Sequence, residues 1–145
     1  MLKVPILHES RNQNMRWNCE KNGCYKNQLP DYQTILSGCF GMTSCRPMDV
    51  DGIIERNGKI LFIESKYHNI EISQAQKILF RALINAGHSI LVVWMKESDG
   101  SDIDKIQVYS SNGIYKREAN KEKFRDAVKQ WWDSAEKRAK FYYVG

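Results

Sequence analysis

The middle of the chain alternates short apolar runs with turn-forming residues. Asn57-Gly58 separates Ile53-Ile54 from the continuous apolar run at 60–63, and an Asn-Gly pair in this setting predicts a two-residue β-hairpin. The turn sets the register by placing Arg56 opposite Lys59. The further opposed pairs, all on one face, are then Ile53 with Phe62, Asp51 with Glu64, and Asp49 with Lys66.

A helix and another strand are predicted after this hairpin. Ser73 is a candidate N-cap, and Gly87 stands where a helix would stop. Apolar residues recur between them at helical spacing and predict one packed face: Ala75, Ile78, Leu79, Ala82, Leu83 and Ala86. The apolar run at 90–95 then predicts a buried strand.

The C-terminal third is predicted to be architectural. A strand is expected over 103–109, between turn signals at 99–100 and 111–113, and a helix from about Glu118. The apolar stripe of this helix predicts core packing: Phe124, Ala127, Val128, Trp131, Ala135 and Arg138. Residues 1–48 show little periodicity beyond a short helix expected around 14–20. These patterns predict one α/β domain over residues 1–145, with a mixed central sheet flanked by helices.

The opposed carboxylates are the strongest chemical signal. Directly opposed residues have Cβ atoms roughly 4.5–5.5 Å apart, so Asp51 and Glu64 are placed to hold one cation between them. Lys66 follows two residues after Glu64 on the same face, close enough to act on a metal-bound water. Charges on a hairpin are usually a solvated face, and Asp49 with Lys66 could be an exposed ion pair. The apolar run before Glu64, however, predicts a strand covered on both sides, where charges need partners.

This segment resembles the PD-(D/E)XK nuclease superfamily. In that pattern an Asp opens one strand and a Glu-x-Lys triplet ends the next, here Asp51 and Glu64-Ser65-Lys66. Val50 stands where the name of the superfamily has Pro. The hairpin spacing resembles archaeal Holliday-junction resolvases, and the stretch from Ser73 resembles VRR-type nuclease domains. The resemblance covers residues 49–95 best and implies a restriction-endonuclease-like fold.

The resemblance also implies a reaction and a set of site residues. The reaction is Mg²⁺- or Mn²⁺-dependent hydrolysis of DNA phosphodiester bonds, most often endonucleolytic and in some members structure-specific. Small members resemble proteins of phages and mobile elements that act in recombination, repair or defence. The metal ligands implied are Asp51, Glu64 and the Ser65 backbone carbonyl, with Asp49 as a further candidate; Lys66 and Gln76 complete the catalytic set. Gln74 competes with Gln76. Superfamily members often carry an accessory glutamate on an earlier helix, for which Glu20 is the first candidate and Glu9 the second; the alternative for both is a solvated surface position.

Composition and charge distribution agree with a nucleic-acid partner. The 145 residues carry a net charge of +5, with 42% apolar and 27% charged residues, as in a soluble globular protein. Residues 49–115 have a balance of −2, while the segments before and after have +3 and +4. An acidic centre with basic flanks suits cations in the site and phosphates around it. The longest apolar run is too short to span a bilayer and no signal peptide is apparent, so a cytoplasmic location is expected.

Four cysteines leave a second interpretation open. Cys19, Cys24, Cys39 and Cys45 form two pairs that could hold a structural zinc ion, although reduced thiols are the ordinary state in the cytoplasm. A zinc-stabilised protein-interaction module is therefore one alternative to the nuclease. A nuclease-like domain that binds nucleic acid without cleaving it is another. A homodimer is plausible, because junction resolvases of the superfamily act as dimers.

Overall fold

The computed structural model describes residues 30–96 and 102–137. The chain divides between Met48 and Asp49 into two units, which are taken separately. In the first, the described part holds one short helix, α1 (Tyr32–Ile35), whose N-terminus is capped by the Asp31 side chain. The predicted helix at 14–20, with Glu9, Glu20, Cys19 and Cys24, lies outside the described residues.

The second unit is α/β, with a five-stranded mixed sheet flanked by helices. Its strands are β1 (Gly52–Arg56), β2 (Lys59–Tyr67), β3 (Ser89–Met95), β4 (Ile103–Ser110) and β5 (Gly113–Glu118). The strands lie side by side in chain order, and only β2 and β3 are parallel. That parallel pair needs a crossover, which is supplied by α2 (Gln74–Asn85). The last element is α3 (Lys121–Glu136).

The hairpin register agrees with the prediction from its turn. Arg56 pairs with Lys59 and Ile53 with Phe62, and the ladder ends at Gly52 opposite Ile63. Asn57 has φ +52° and Gly58 φ +80°, the left-handed conformations that a type I′ turn requires. Asn57 is also 1% exposed and donates from Nδ2 to the Ala135 carbonyl at 3.0 Å. The turn is thereby held against the last turn of α3.

The sheet is covered on both faces, as the apolar run at 60–63 predicts. Leu61, Leu91 and Ile106 are fully buried in a core that α3 completes with four residues of its predicted stripe: Phe124, Ala127, Val128 and Trp131. Arg138 of that stripe lies outside the described residues. The other core contains Ile90, Val92, Trp94 and Tyr109 from the strands, and α2 packs against it. Because successive residues of a strand point to opposite faces, Phe62, Glu64 and Lys66 lie on the α2 face.

One detail of the sequence prediction is wrong, and one strand was not predicted. The packed face of α2 is centred on Phe80, with Leu79, Leu83 and Ile84, whereas Ala75 and Ala82 are exposed and Ile78 is 59% exposed. The predicted stripe was offset because small alanines fit helical spacing without needing burial. The turn at 111–113 leads into β5, an edge strand with five exposed residues of six, which shows no apolar alternation to detect. None of the described helices is long and apolar enough to cross a membrane.

Candidate active site

Asp51, Glu64, Lys66 and Gln76 come together on the α2 face of the sheet, where the β1–β2 hairpin ladder ends. Asp51 immediately precedes β1, and its Oδ2 accepts a hydrogen bond of 2.7 Å from the Ser65 backbone N–H. The Asp51 carboxylate thus accepts the hydrogen bond that a main-chain carbonyl would accept if the ladder continued. This contact ties the start of β1 to β2. In an extended strand the N–H and C=O of one residue face the same neighbour. The Ser65 carbonyl is therefore directed to the side on which Asp51 lies.

Gln76 is the residue that joins helix α2 to the site. Ser73 caps the helix: its Oγ accepts from the Gln76 N–H at 3.1 Å, and Gln76 Oε1 accepts from the Ser73 N–H at 3.2 Å. This capping box engages the amide oxygen, so the Gln76 amide NH₂ is left to point outward. Gln76 Nε2 donates to Glu64 Oε1 at 2.7 Å. One side chain therefore both starts the helix and positions the central carboxylate.

Lys66 provides the positive charge of the cluster. Its Nζ lies 3.8 Å from Glu64 Oε1, and the two side chains are only 11% and 18% exposed. Lys66 and Gln76 thus contact the same carboxylate oxygen. Within the described part of the chain, Glu64 Oε2 and Asp51 Oδ1 make no hydrogen bond. Each carboxylate accordingly has one oxygen left for a further ligand.

The local electrostatics leave negative charge uncompensated at Glu64. Burial raises the pKa of the Glu64 carboxyl above its ordinary 4.5, and the neighbouring Asp51 carboxylate raises it further. The Gln76 hydrogen bond and the Lys66 charge lower that pKa in part, while Asp49 raises it. Glu64 is partly buried and Asp51 is exposed. Neighbouring carboxylates whose ionised forms repel are stabilised by a cation.

The donor set suits a hard divalent ion such as Mg²⁺. Mg²⁺ is usually held by one or two carboxylates and keeps several waters, so it does not need a cage of protein ligands. Two carboxylate oxygens and a main-chain carbonyl match that preference. Among residues 30–96 and 102–137, no three His, Cys, Asp or Glu side chains gather as a metal cluster.

The remaining candidates from the sequence are placed differently. Asp49 is exposed and precedes the ladder, so it is not paired with Lys66 as the register predicted, because β1 begins only at Gly52. Gln74 is exposed at the first position of α2 and has no contact with Glu64 in the described chain. Cys39 and Cys45 are free and exposed. With Cys19 and Cys24 outside the described residues, the zinc site stays a prediction.

Sequence reasoning missed a group of lysines on the same face. Trp94 lies next to Lys66 across the β2–β3 ladder, and Lys105 and Lys116 lie over its ring. Trp94, Lys105 and Lys116 come from three strands, and β5 was not predicted, so no local pattern could have grouped them.

Comparison with protein-family models, with curated proteins and with solved structures found no match to this chain. The assignment of the site therefore rests on its own residues and their geometry.

Proposed function

We propose that this protein is a metal-dependent nuclease that hydrolyses phosphodiester bonds of DNA, with a restriction-endonuclease-like fold. The observation that carries the proposal is the cluster of Asp51, Glu64, Lys66 and Gln76. Asp51 and Gln76 lie 13 and 12 residues from Glu64 in the sequence, and the hairpin and the helix cap bring them close to Glu64 and Lys66. The mixed sheet, with its antiparallel first hairpin and its α2 crossover, is compatible with that fold.

The proposed chemistry assigns each residue a task. Asp51, Glu64 and the Ser65 carbonyl would hold Mg²⁺ or Mn²⁺, which when bound would polarise a phosphate oxygen and lower the pKa of a water ligand. Lys66 lies beside Glu64 and supplies a fixed positive charge to the pentavalent phosphate or orients the attacking water. Gln76 keeps Glu64 in place through its amide NH₂ and leaves the second carboxylate oxygen for the cation.

The test is cleavage of labelled duplex, single-stranded, flap and four-way-junction DNA in Mg²⁺, Mn²⁺ or EDTA. Wild type should give products with a divalent metal and none in EDTA, and Asp51→Ala and Glu64→Ala should give none at all. Retention of the far-UV circular dichroism spectrum shows that the variants remain folded. Normal cleavage by either variant would remove the site assignment. Binding of DNA by wild type without cleavage in any metal would favour the alternative of a non-cleaving binding domain.

A further inference from the structure

A second charged feature lies beside the candidate active site, on the same face of the sheet. A cavity of about 380 Å³ opens between the β2–α2 loop and strands β3 to β5. We call it the lysine groove, and its charged lining consists of Lys77, Lys105 and Lys116 with Glu71. Three cations against one carboxylate make its lining electropositive.

Trp94 forms the floor of the lysine groove. The Nζ atoms of Lys105 and Lys116 lie 5.1 and 5.3 Å from the centre of its ring. The indole is 2% exposed and donates from Nε1 to the Ile70 carbonyl at 2.7 Å, so its position is fixed. Each ammonium is attracted to the ring face, which holds both lysines at the same place. Because the ring is covered, it is not itself a surface on which a base could stack.

In the described part of the chain, these lysines have no carboxylate partner. Within residues 30–96 and 102–137, no carboxylate oxygen lies within 4.0 Å of Lys77, Lys105 or Lys116. Glu118 stands opposite Lys105 in the β4–β5 register, yet the two form no ion pair. The contact that Lys105 does make is a long one, 3.4 Å to Asn69 Oδ1. Ammonium groups held together in this way favour an anion between them.

The register connects the lysine groove to the candidate active site. Lys66 on β2 is paired with Trp94 on β3, and Trp94 is paired with Lys105 on β4. Adjacent strands are spaced by about 4.8 Å, so Lys66 and Lys105 start roughly 10 Å apart on one row of the sheet. A phosphate held at Lys105 would therefore be a near neighbour, along one strand, of a phosphate held at Lys66.

We propose that the lysine groove binds backbone phosphates of the same nucleic-acid strand whose phosphodiester bond reaches Glu64 and Lys66. The strand would run from the end of the hairpin across Trp94 toward β5, with Lys105 and Lys116 contacting phosphates a few nucleotides from the scissile one. Contacts to phosphates position a strand without reading its sequence. The inference names the binding surface of the proposed nuclease and therefore rests on that proposed function.

The test compares two double variants that lose the same charge. Lys105→Gln/Lys116→Gln removes two cations from the groove. Lys129→Gln/Lys137→Gln removes two exposed lysines, one on α3 and one at its C-terminal cap, and α3 packs on the opposite face. Binding of a fluorescein-labelled duplex and of a labelled single strand is measured in EDTA over a series of salt concentrations. The groove variant should bind about tenfold more weakly near 0.1 M salt, and its log–log salt slope should fall by about one to two. The α3 variant should match wild type.

The outcomes separate this inference from the proposed function. Equal losses in both variants, or no loss in either, would overturn the lysine groove as a binding surface, and so would the absence of any DNA binding by wild type. Cleavage in Mg²⁺ is followed in parallel; the α3 variant should cleave at the wild-type rate, and the groove variant should cleave more slowly at subsaturating DNA. Cleavage by wild type with unchanged binding in the groove variant would refute the groove alone. Lysine-dependent binding without any cleavage would support the groove and contradict the nuclease.

Discussion

Replacing Gln76 by glutamate tests the contact on which the site geometry depends. Gln76 gives its amide oxygen to the cap of α2 and its amide NH₂ to Glu64, at 2.7 Å. Glutamate also serves at the third position of a capping box, so the cap can survive the change. What is lost is the donor, and what is gained is a second negative charge next to Glu64. Gln76→Glu therefore perturbs the site while sparing the helix start.

The size of the effect follows from two contributions. A hydrogen bond to a charged group is worth about 1.5–3 kcal/mol, and two unit charges about 4 Å apart repel by about 4 kcal/mol at an effective dielectric constant of 20. Rotation of the new side chain toward water and proton uptake by the pair offset much of the repulsion. We expect the free energy of unfolding in EDTA at pH 8 to fall by about 2–4 kcal/mol. Mg²⁺ should restore part of this loss, since it neutralises the added charge.

The assay is urea unfolding with and without Mg²⁺, and Gln74→Glu is the matched control. Gln74 lies in the same first turn, is exposed and does not contact Glu64 within the described chain. A negative charge there favours the helix dipole by about 0.3–1 kcal/mol, so the control should be as stable as wild type or slightly more stable. Equal stability of the two variants would refute the Gln76–Glu64 contact.

Three further outcomes are expected. Lys66 lies 3.8 Å from a Glu64 carboxylate oxygen, so we expect it to act as a fixed positive charge. Lys66→Arg should then cleave DNA faster than Lys66→Met in single-turnover assays, and equal rates for the two variants would argue against this role. Asn57→Ala puts alanine in a left-handed conformation and removes the hydrogen bond to the buried Ala135 carbonyl. The free energy of unfolding in urea should fall by about 2–4 kcal/mol, and a fall below about 1 kcal/mol would contradict the anchoring of the turn. In EDTA, the stability of Glu64→Gln relative to wild type should increase as pH rises from 4 to 7.5. The folded-state pKa of Glu64 is raised above 4.5, so the stability that its protonated form contributes to wild type is lost as the carboxyl ionises. A stability difference in urea unfolding that stays constant across this pH range would contradict the raised pKa.

The hairpin could be predicted because its turn and its apolar runs are local signals. Asn57-Gly58 sets one register, and that register brings Asp51 to the end of the ladder beside β2. The helix start was equally readable, since Ser73 is an N-cap residue directly before a segment with helical apolar spacing. What the capping box does to the Gln76 amide was not predicted, because it depends on where the sheet holds Glu64 relative to the helix.

Features that depend on exposed or polar strands were the ones missed. β5 carries no alternating apolar pattern, because it is an edge strand with one side unpaired and most of its side chains in water. Lys116 therefore had no predicted place, and its position over Trp94 follows only from the order of the strands in the sheet. Asp49 was assigned to the ladder by extending the register, but the pairing ends at Gly52. The hairpin turn and the helix start were readable from sequence, whereas groupings across several strands were not.

The most direct test of the central claim is the single-turnover rate of DNA cleavage in Mg²⁺ by wild type and Glu64→Gln, purified identically. The control is Asp126→Asn, which removes one exposed carboxylate from α3 on the other face of the sheet. The account predicts cleavage by wild type and Asp126→Asn at similar rates, and a loss of at least about a hundredfold in Glu64→Gln. Equal rates in all three proteins, or cleavage by wild type that persists in EDTA, would contradict a metal-dependent active site at Glu64.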